Sequence, residues 1–460
     1  MNHPHHTHTP SRPGGRRARS RWWAVGLAGM TGLTLTTAAV GVVGAPATEA
    51  AARIVPNAEN RPEQPDRPAA DSHRDEGKRK NENKRSKGIP VPCDADKLIA
   101  AITLANARGG AVLDLAKKCT YLLTANIDGA GLPAITTPIT LNGGKHTTIK
   151  RAAAAEEFRI FTVNANGRLT LNHLTITGGR TSGGGAGGGI LINGGGAAAV
   201  NDSKIIRNVA PNADAGGVAN IGGDLEINNS LIGQNAATNI GGGVFSIGTL
   251  TVDKSRFDAN TALTGGGITI TGGDLRVTRS EMVNHHAAQG GGIFILSGVT
   301  GSIADTRFEG NTATIDGGSA IAGVPTQLTM SRVTIANNSA PSNQGLGALF
   351  LEGGSMLVKD SIIKNNTGIN GGGIRNRGAL TLLRTKVSGN QATGSGGGIY
   401  NESVGTLTLF STKIVKNTAV ADGGGIFNEA GGTVELNTAT GTTVVKNRPN
   451  NCVNVTGCPG

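Results

Sequence analysis

From residue 183 to the C-terminus, apolar residues fall in short alternating runs, each broken after a few positions by glycine, asparagine or a charged residue. Leu250-Thr251-Val252 is one such run; Ser255-Arg256-Phe257-Asp258-Ala259-Asn260 follows it, and then Gly265-Gly266-Gly267-Ile268. A period of two predicts short strands, and the breaks come too often for helices. The Gly-Gly-Gly-Ile phrase recurs at residues 187–190, 265–268, 290–293, 371–374, 396–399 and 423–426, with a valine variant at 241–244. Aligning on the asparagine between phrases gives Asn208, Asn235, Asn260, Asn311, Asn338, Asn366, Asn390, Asn417 and Asn447, with His285 in that place on one repeat. The steps run from 24 residues (366 to 390) to 30 (417 to 447), a regularity that predicts about ten stacked coils. At roughly 4.8 Å per coil the stack would be ~50 Å long.

Each element of the repeat has a mechanical reading. Asparagine tolerates left-handed backbone and suits a tight corner, and identical asparagines one coil apart can ladder through their amides. Glycine triplets permit positive φ and close backbone approach at the other corner. Residues three before the ladder position (Ile205, Ile232, Phe257, Phe308, Ile335, Ile363, Val387, Ile414) are expected to face inward, as are the Ser or Thr five before it. Ahead of the stack, residues 94–106 carry Leu98, Ile99, Ile102 and Leu104, with Asp94 or Asp96 available as a cap. That pattern predicts one short helix, placed to cover the open strand edges of the first coil.

Composition agrees with a narrow interior. The chain has 73 glycines and an aromatic content of 3%, too few rings to fill a conventional core, so small and β-branched side chains must do so. Residues 1–52 read as an export signal: Arg12, Arg16, Arg17, Arg19 and Arg21 precede an uncharged stretch from Trp22 to Thr48, with small residues near Ala50 and Ala52 for cleavage. An uncleaved anchor is the competing reading. Removing the signal leaves 38 basic against 30 acidic residues, a net +8. Residues 53–90, rich in Pro, Arg, Lys, Asp and Glu, read as a disordered linker, and 91–460 as the folded region. Four cysteines fit export, and pairing Cys93 with Cys119 and Cys452 with Cys458 is the simplest of three possible frameworks, pinning both ends. Zinc is the alternative use of these cysteines, although neither pair has CxxC spacing.

The phrases Phe257-Asp258-Ala259-Asn260 and Phe308-Glu309-Gly310-Asn311, following the valine variant and a Gly-Gly-x-Ile respectively, resemble the GGAI and FxxN repeats of polymorphic outer membrane proteins. More broadly the region from Cys93 to Cys458 resembles the right-handed β-helices of the pectin lyase-like superfamily. The resemblance implies an all-β, right-handed, single-stranded parallel β-helix, here with an N-terminal capping helix. It also implies pectic-sugar chemistry, through aspartates clustered around calcium with an arginine base, or catalytic aspartates near a Gly-His-Gly. The adjacent aspartates and the Gly-His-Gly are missing, and Asp214, Asp316 and Asp422 precede glycines as corner residues do. No metal site is expected, with His285-His286 the one exposed pair to check.

Two outward rows carry more information than any motif. Residues six and four before the ladder position, from Asp202/Lys204 to Ser411/Lys413, include nine basic and four acidic side chains. Arg279, Asp305, Arg332, Asp360 and Arg384 are placed to alternate as a salt-bridge ladder. Positive charge is in local excess at Lys254, Arg256, Arg279 and Arg307, which with Arg332 and Arg384 form a candidate cationic groove for an acidic glycan. The second row, Phe245, Phe294, Ile321, Leu349, Tyr400 and Phe427, follows the glycine phrase and is expected as an apolar surface stripe, covered by a loop or the N-terminal segment, or docking a partner. These readings favour a secreted or cell-wall-associated monomer that binds an acidic polysaccharide or cell-envelope polymer without catalysis. Nucleic acid is not an expected partner, nor is the cleaved chain expected to be an integral membrane protein. The alternatives are a polysaccharide lyase or glycoside hydrolase acting on uronates, in which case alone calcium would be a cofactor, and a structural surface spacer.

Overall fold

The computed structural model describes residues 88–459, apart from 182, 297, 324–325 and 342–345. The expected export signal, and the expected linker up to residue 87, lie outside the described residues. The described chain winds into a right-handed parallel β-helix.

One coil shows how the sequence closes each turn. Thr249–Asp253 forms the first side, Lys254 turns the chain at φ 47°, and Arg256–Asp258 forms the second. Ala259 turns it again at φ 52°, Thr261–Thr264 crosses to Gly265 (φ 63°), Ile268–Ile270 forms the last side, and Gly272-Gly273 return it. Leu250 then pairs with Leu275, Phe257 with Met282 and Ile268 with Ile293, all in parallel. Repetition of the last side alone gives a 12-stranded sheet that starts at Phe161–Val163 and ends at Cys452–Val453. The inward residues expected from the repeat are buried: Ile205, Ile232, Phe257, Phe308, Ile335, Ile363, Val387 and Ile414 line one core with the isoleucines of the glycine phrase.

The asparagine ladder forms, but its members are not the corner. Positive φ belongs to the residue before each one, as at Gln234 (54°), Asn284 (56°), Asn337 (57°) and Lys416 (58°). With the pivot one residue earlier, the asparagine side chain turns into the interior. There Asn235 Nδ2 donates to Ile205 O at 2.9 Å and to Asn260 Oδ1 at 3.0 Å, and Asn260 Oδ1 also accepts from Asn235 N at 3.0 Å. A residue serving as the exposed pivot could not reach those buried groups, which must find partners. Five residues before the ladder, Ser and Thr build a second ladder: Ser230 N donates to Ser255 Oγ at 3.1 Å, and Ser255 N to Ser280 Oγ at 3.1 Å. Close packing explains the glycine phrase, because a Cβ on Gly242 would stand 2.5 Å from the carbonyl oxygens of Gly266 and Thr261.

The helix spans Ala95–Ala107, and Asp94 caps it by accepting from the backbone N–H of Asp96 (2.8 Å) and Lys97 (3.1 Å). Leu98, Ile102 and Ala105 pack into the core, while Leu104 is exposed. No helix among the described residues is long and apolar enough to cross a membrane. Cys93 is bonded to Cys119 and Cys452 to Cys458. At the N-terminal end the fully buried Tyr121 hydroxyl donates to Val91 O at 3.0 Å and accepts from Ala116 N at 2.9 Å. At the other end Asn451 Oδ1 takes the place of the next ladder amide, accepting from Asn447 N (3.1 Å) and Nδ2 (3.2 Å).

Candidate functional site

Left-handed turns create the outward charge rows. The residue six before the ladder pivots at positive φ throughout, including Asp202 (49°), Arg279 (49°), Asp305 (50°), Arg332 (52°), Asp360 (53°) and Arg384 (47°). This backbone disfavours a residue with a Cβ by about 1–2 kcal/mol, so the coil closure must outweigh it. Side chains from the pivot and from two residues beyond it meet in a shallow groove of about 440 Å³, lined by Asp202, Lys204, Asn229, Leu231, Lys254, Arg256, Arg279 and Glu281 together with Ser203, Ser230 and Ser255. The structure therefore brings together Lys254, Arg256 and Arg279 of the expected cationic set. Arg307 lies one coil on, and Arg332 and Arg384 further along.

Most of this charge is internally paired. Arg256 reaches both Asp258 (3.1 Å) and Glu281, and Arg307 meets Glu309. Arg332 grips Asp305 with Nε at 2.6 Å and Nη2 at 2.7 Å, and Arg384 grips Asp360 with Nε at 2.6 Å and Nη2 at 3.0 Å. The expected alternation breaks at Arg279, which turns back to Asp253 at 2.6 Å instead of forward to Asp305. Asp253 lies at the end of the preceding strand, and Thr278 donates to it as well at 2.6 Å. The Arg279 and Thr278 hydrogen bonds hold the Asp253 carboxyl below its ordinary pKa, as Arg332 does for Asp305 and Arg384 for Asp360. Lys204 and Lys254 make no ion pair among the described residues, so they supply the groove's unneutralised charge.

The apolar row is not bare, and two of its members belong to the interior. Ile321 and Leu349 pair in register with Ile293 and Ile374 and are fully buried in the core. The outward places on those coils fall to Ala322 and Phe350. Phe245 and Tyr400 are buried and Phe294 and Phe427 half-buried, so the expected surface stripe is largely covered. Ala215 and Ile240 pack with Phe245, and Leu346 packs with Phe294, Ala322 and Phe350. All three covering residues lie between a ladder position and a glycine phrase, so the cover comes from short loops of the coils themselves.

Toward the C-terminal end the same row holds a polar cluster that the repeat did not announce. The Arg375 guanidinium lies 5.5 Å from the Tyr400 ring centroid, and Tyr400 stacks on Phe427 with centroids 5.1 Å apart. Glu402 accepts from Arg375 Nε at 2.6 Å and Arg377 Nε at 3.0 Å, while Glu429 accepts from the Tyr400 hydroxyl and, at 2.9 Å, from Ser403 N. Burial, and then the Glu429 hydrogen bond, push the Tyr400 pKa up. Its signal in the sequence was the residue after each phrase isoleucine, where Arg375 precedes Tyr400 by one coil.

His285 and His286 do not form an exposed pair. His286 is exposed, but His285 occupies the ladder inside the wall, fully buried, with Nδ1 accepting from Asn260 N at 3.1 Å and Nε2 without a partner. Among the described residues no group of three or more His, Cys, Asp or Glu is placed to hold a metal.

A family model described as a right handed beta helix region matches residues 266–448. No curated protein matches the chain.

Proposed function

We propose that this β-helix recognises an acidic polysaccharide or cell-envelope polymer outside the cell, without catalysis. The observation that carries the reading is the groove in which Lys204, Lys254, Arg256 and Arg279 face two acids, Asp202 and Glu281, in coil-by-coil register. Its arginines are paired, but the pairs are open to solvent: the Arg256 and Arg279 side chains keep 44% and 56% of their exposure. Exposed pairs are worth only about 0–1 kcal/mol, so carboxylates of a linear polymer can replace the internal partners at small cost. Two disulfides support an oxidising compartment. Equilibrium binding to oligogalacturonate and other anionic glycans tests the reading. The triple variant R256A/R279A/R307A should weaken binding about tenfold or more, and unchanged binding would sink the assignment. The bidentate Arg332–Asp305 and Arg384–Asp360 pairs favour a second reading, a structural spacer with a self-neutralised face. A chain that binds none of an array of anionic glycans would support it.

A further inference from the structure

The unpaired positive charge of the last coils lies elsewhere from the groove above. From residue 386 to the C-terminus the basic residues are Lys386, Lys413, Lys416, Lys446 and Arg448. All five are exposed, and none makes an ion pair among the described residues. Lys386 and Lys413 are register partners on adjacent coils, as are Thr418 and Arg448. Lys416 and Lys446 each precede a ladder asparagine, one coil apart, at φ 58° and 60°. Like charges stacked at strand spacing repel, and elsewhere on the solenoid arginines of neighbouring coils avoid this by taking carboxylate partners. Here three of the four acids of the same segment are committed elsewhere: Glu402 to Arg375, Glu429 to Tyr400, and Asp422 to Asn450 Nδ2 at 2.6 Å. The corner position itself disfavours lysine, and the five preceding coils fill it with Asn284, Gly310, Asn337, Asn365 and Gly389.

We propose that Lys416, Lys446 and Arg448 form a second anion site, selective for phosphate or sulfate esters. They surround a groove of about 560 Å³ lined by Thr418 and Asn447, with no carboxylate in its wall. Three cations around one cavity match a ligand that concentrates charge and several oxygens on one centre. The guanidinium fork of Arg448 suits such a tetrahedral oxyanion, the lysines add point charge, and the Thr418 hydroxyl adds a donor. A uronate chain, with a single charge on each sugar, fits this cluster less well. Lys386 and Lys413, on the strands leading to the same corner, extend the positive field along the polymer.

The test measures binding of the full chain to tripolyphosphate, a sulfated heparin hexasaccharide and hexagalacturonate at two salt concentrations. Tripolyphosphate and the sulfated hexasaccharide are the probes of this site, at least one of which should bind and weaken as salt rises; which of the two binds tells a phosphorylated from a sulfated source. K416N/K446N/R448Q, chosen because asparagine tolerates the left-handed corner, should lose at least tenfold in affinity with an unchanged melting temperature. K416R/K446R should retain binding, and K416N/K446N/R448Q should leave hexagalacturonate binding unaltered, which separates this site from the groove proposed above. The proposal is overturned if neither tripolyphosphate nor the sulfated hexasaccharide binds, if K416N/K446N/R448Q binds them like the parent, or if that variant loses hexagalacturonate binding to the same extent.

Discussion

His285 is the residue at which the repeat and the chemistry part. Every asparagine in that place both donates and accepts, whereas the imidazole accepts from Asn260 N and leaves Nε2 unsatisfied. Burial pushes its pKa down to about 3. The unfolded chain takes up that proton near the ordinary value of ~6.5, so the folded state is favoured in full above this pH. Stability then falls as pH drops from about 6.5 toward 3, by up to about 1.4 kcal/mol per pH unit. Asp253, Asp305 and Asp360 act in a lower window, their contribution being full above the ordinary carboxyl value and lost as pH falls from there through their own depressed values. H285N should therefore flatten the dependence between pH 7 and 5 and add about 1 kcal/mol at pH 7 by restoring the amide bond. Urea unfolding of both proteins at the two pH values checks this; an unaltered slope in the variant would place the titration on another group.

At the level of the elements, the glycine phrase separates two causes of glycine use. Gly242 has backbone oxygens 2.5 Å from where a Cβ would sit, while Gly272 has nothing within 4 Å but a φ of 68°. G272A should cost about 1 kcal/mol from backbone conformation alone, and G242A several kcal/mol because two coils must separate. Thermal unfolding of the pair measures the difference. The coil register was legible because Gly-Gly-Gly-Ile and the ladder asparagine recur together. Where the phrase is rewritten as Gly318-Ser319-Ala320-Ile321 or Gly347-Ala348-Leu349, counting from it misplaced Ile321 and Leu349 by one residue, and a slip of one flips a strand residue to the other face. The pivot was missed for a related reason: its residue type varies among Arg207, Gln234, Ala259 and Lys416, so only the neighbour, asparagine on every repeat but one, stood out. The outward positions of the charge rows were readable from alternation, but the choice of partner was not. Arg279 has carboxylates within reach on both sides, and three-dimensional placement decides between them.

For the whole molecule, the two ends are fastened differently. The N-terminal tip has a capped helix, a buried tyrosine and a disulfide spanning 26 residues, whereas the C-terminal disulfide spans 6. Loop-closure entropy gives the longer bridge roughly 3 kcal/mol and the shorter one less, so C93S/C119S should lower the unfolding temperature more than C452S/C458S. Calorimetry of the two double variants would show it. The bonds from one ladder position to the next all run one way, since Asn235 N and Nδ2 donate to Asn260 Oδ1 and Asn311 N and Nδ2 to Asn338 Oδ1. Each Nδ2 also donates back to a carbonyl of the preceding coil, such as Ile205 O and Met282 O. His285 accepts one bond from Asn260 N, and its backbone N–H still donates to Asn311 Oδ1 at 3.0 Å, but its imidazole gives Asn311 nothing, so the side-chain-to-side-chain bonds stop between 260 and 311. Under tension applied along the axis, the wall should part first at that coil. Single-molecule pulling should record an initial rupture that frees the segment on one side of residue 285, and H285N should move the break elsewhere.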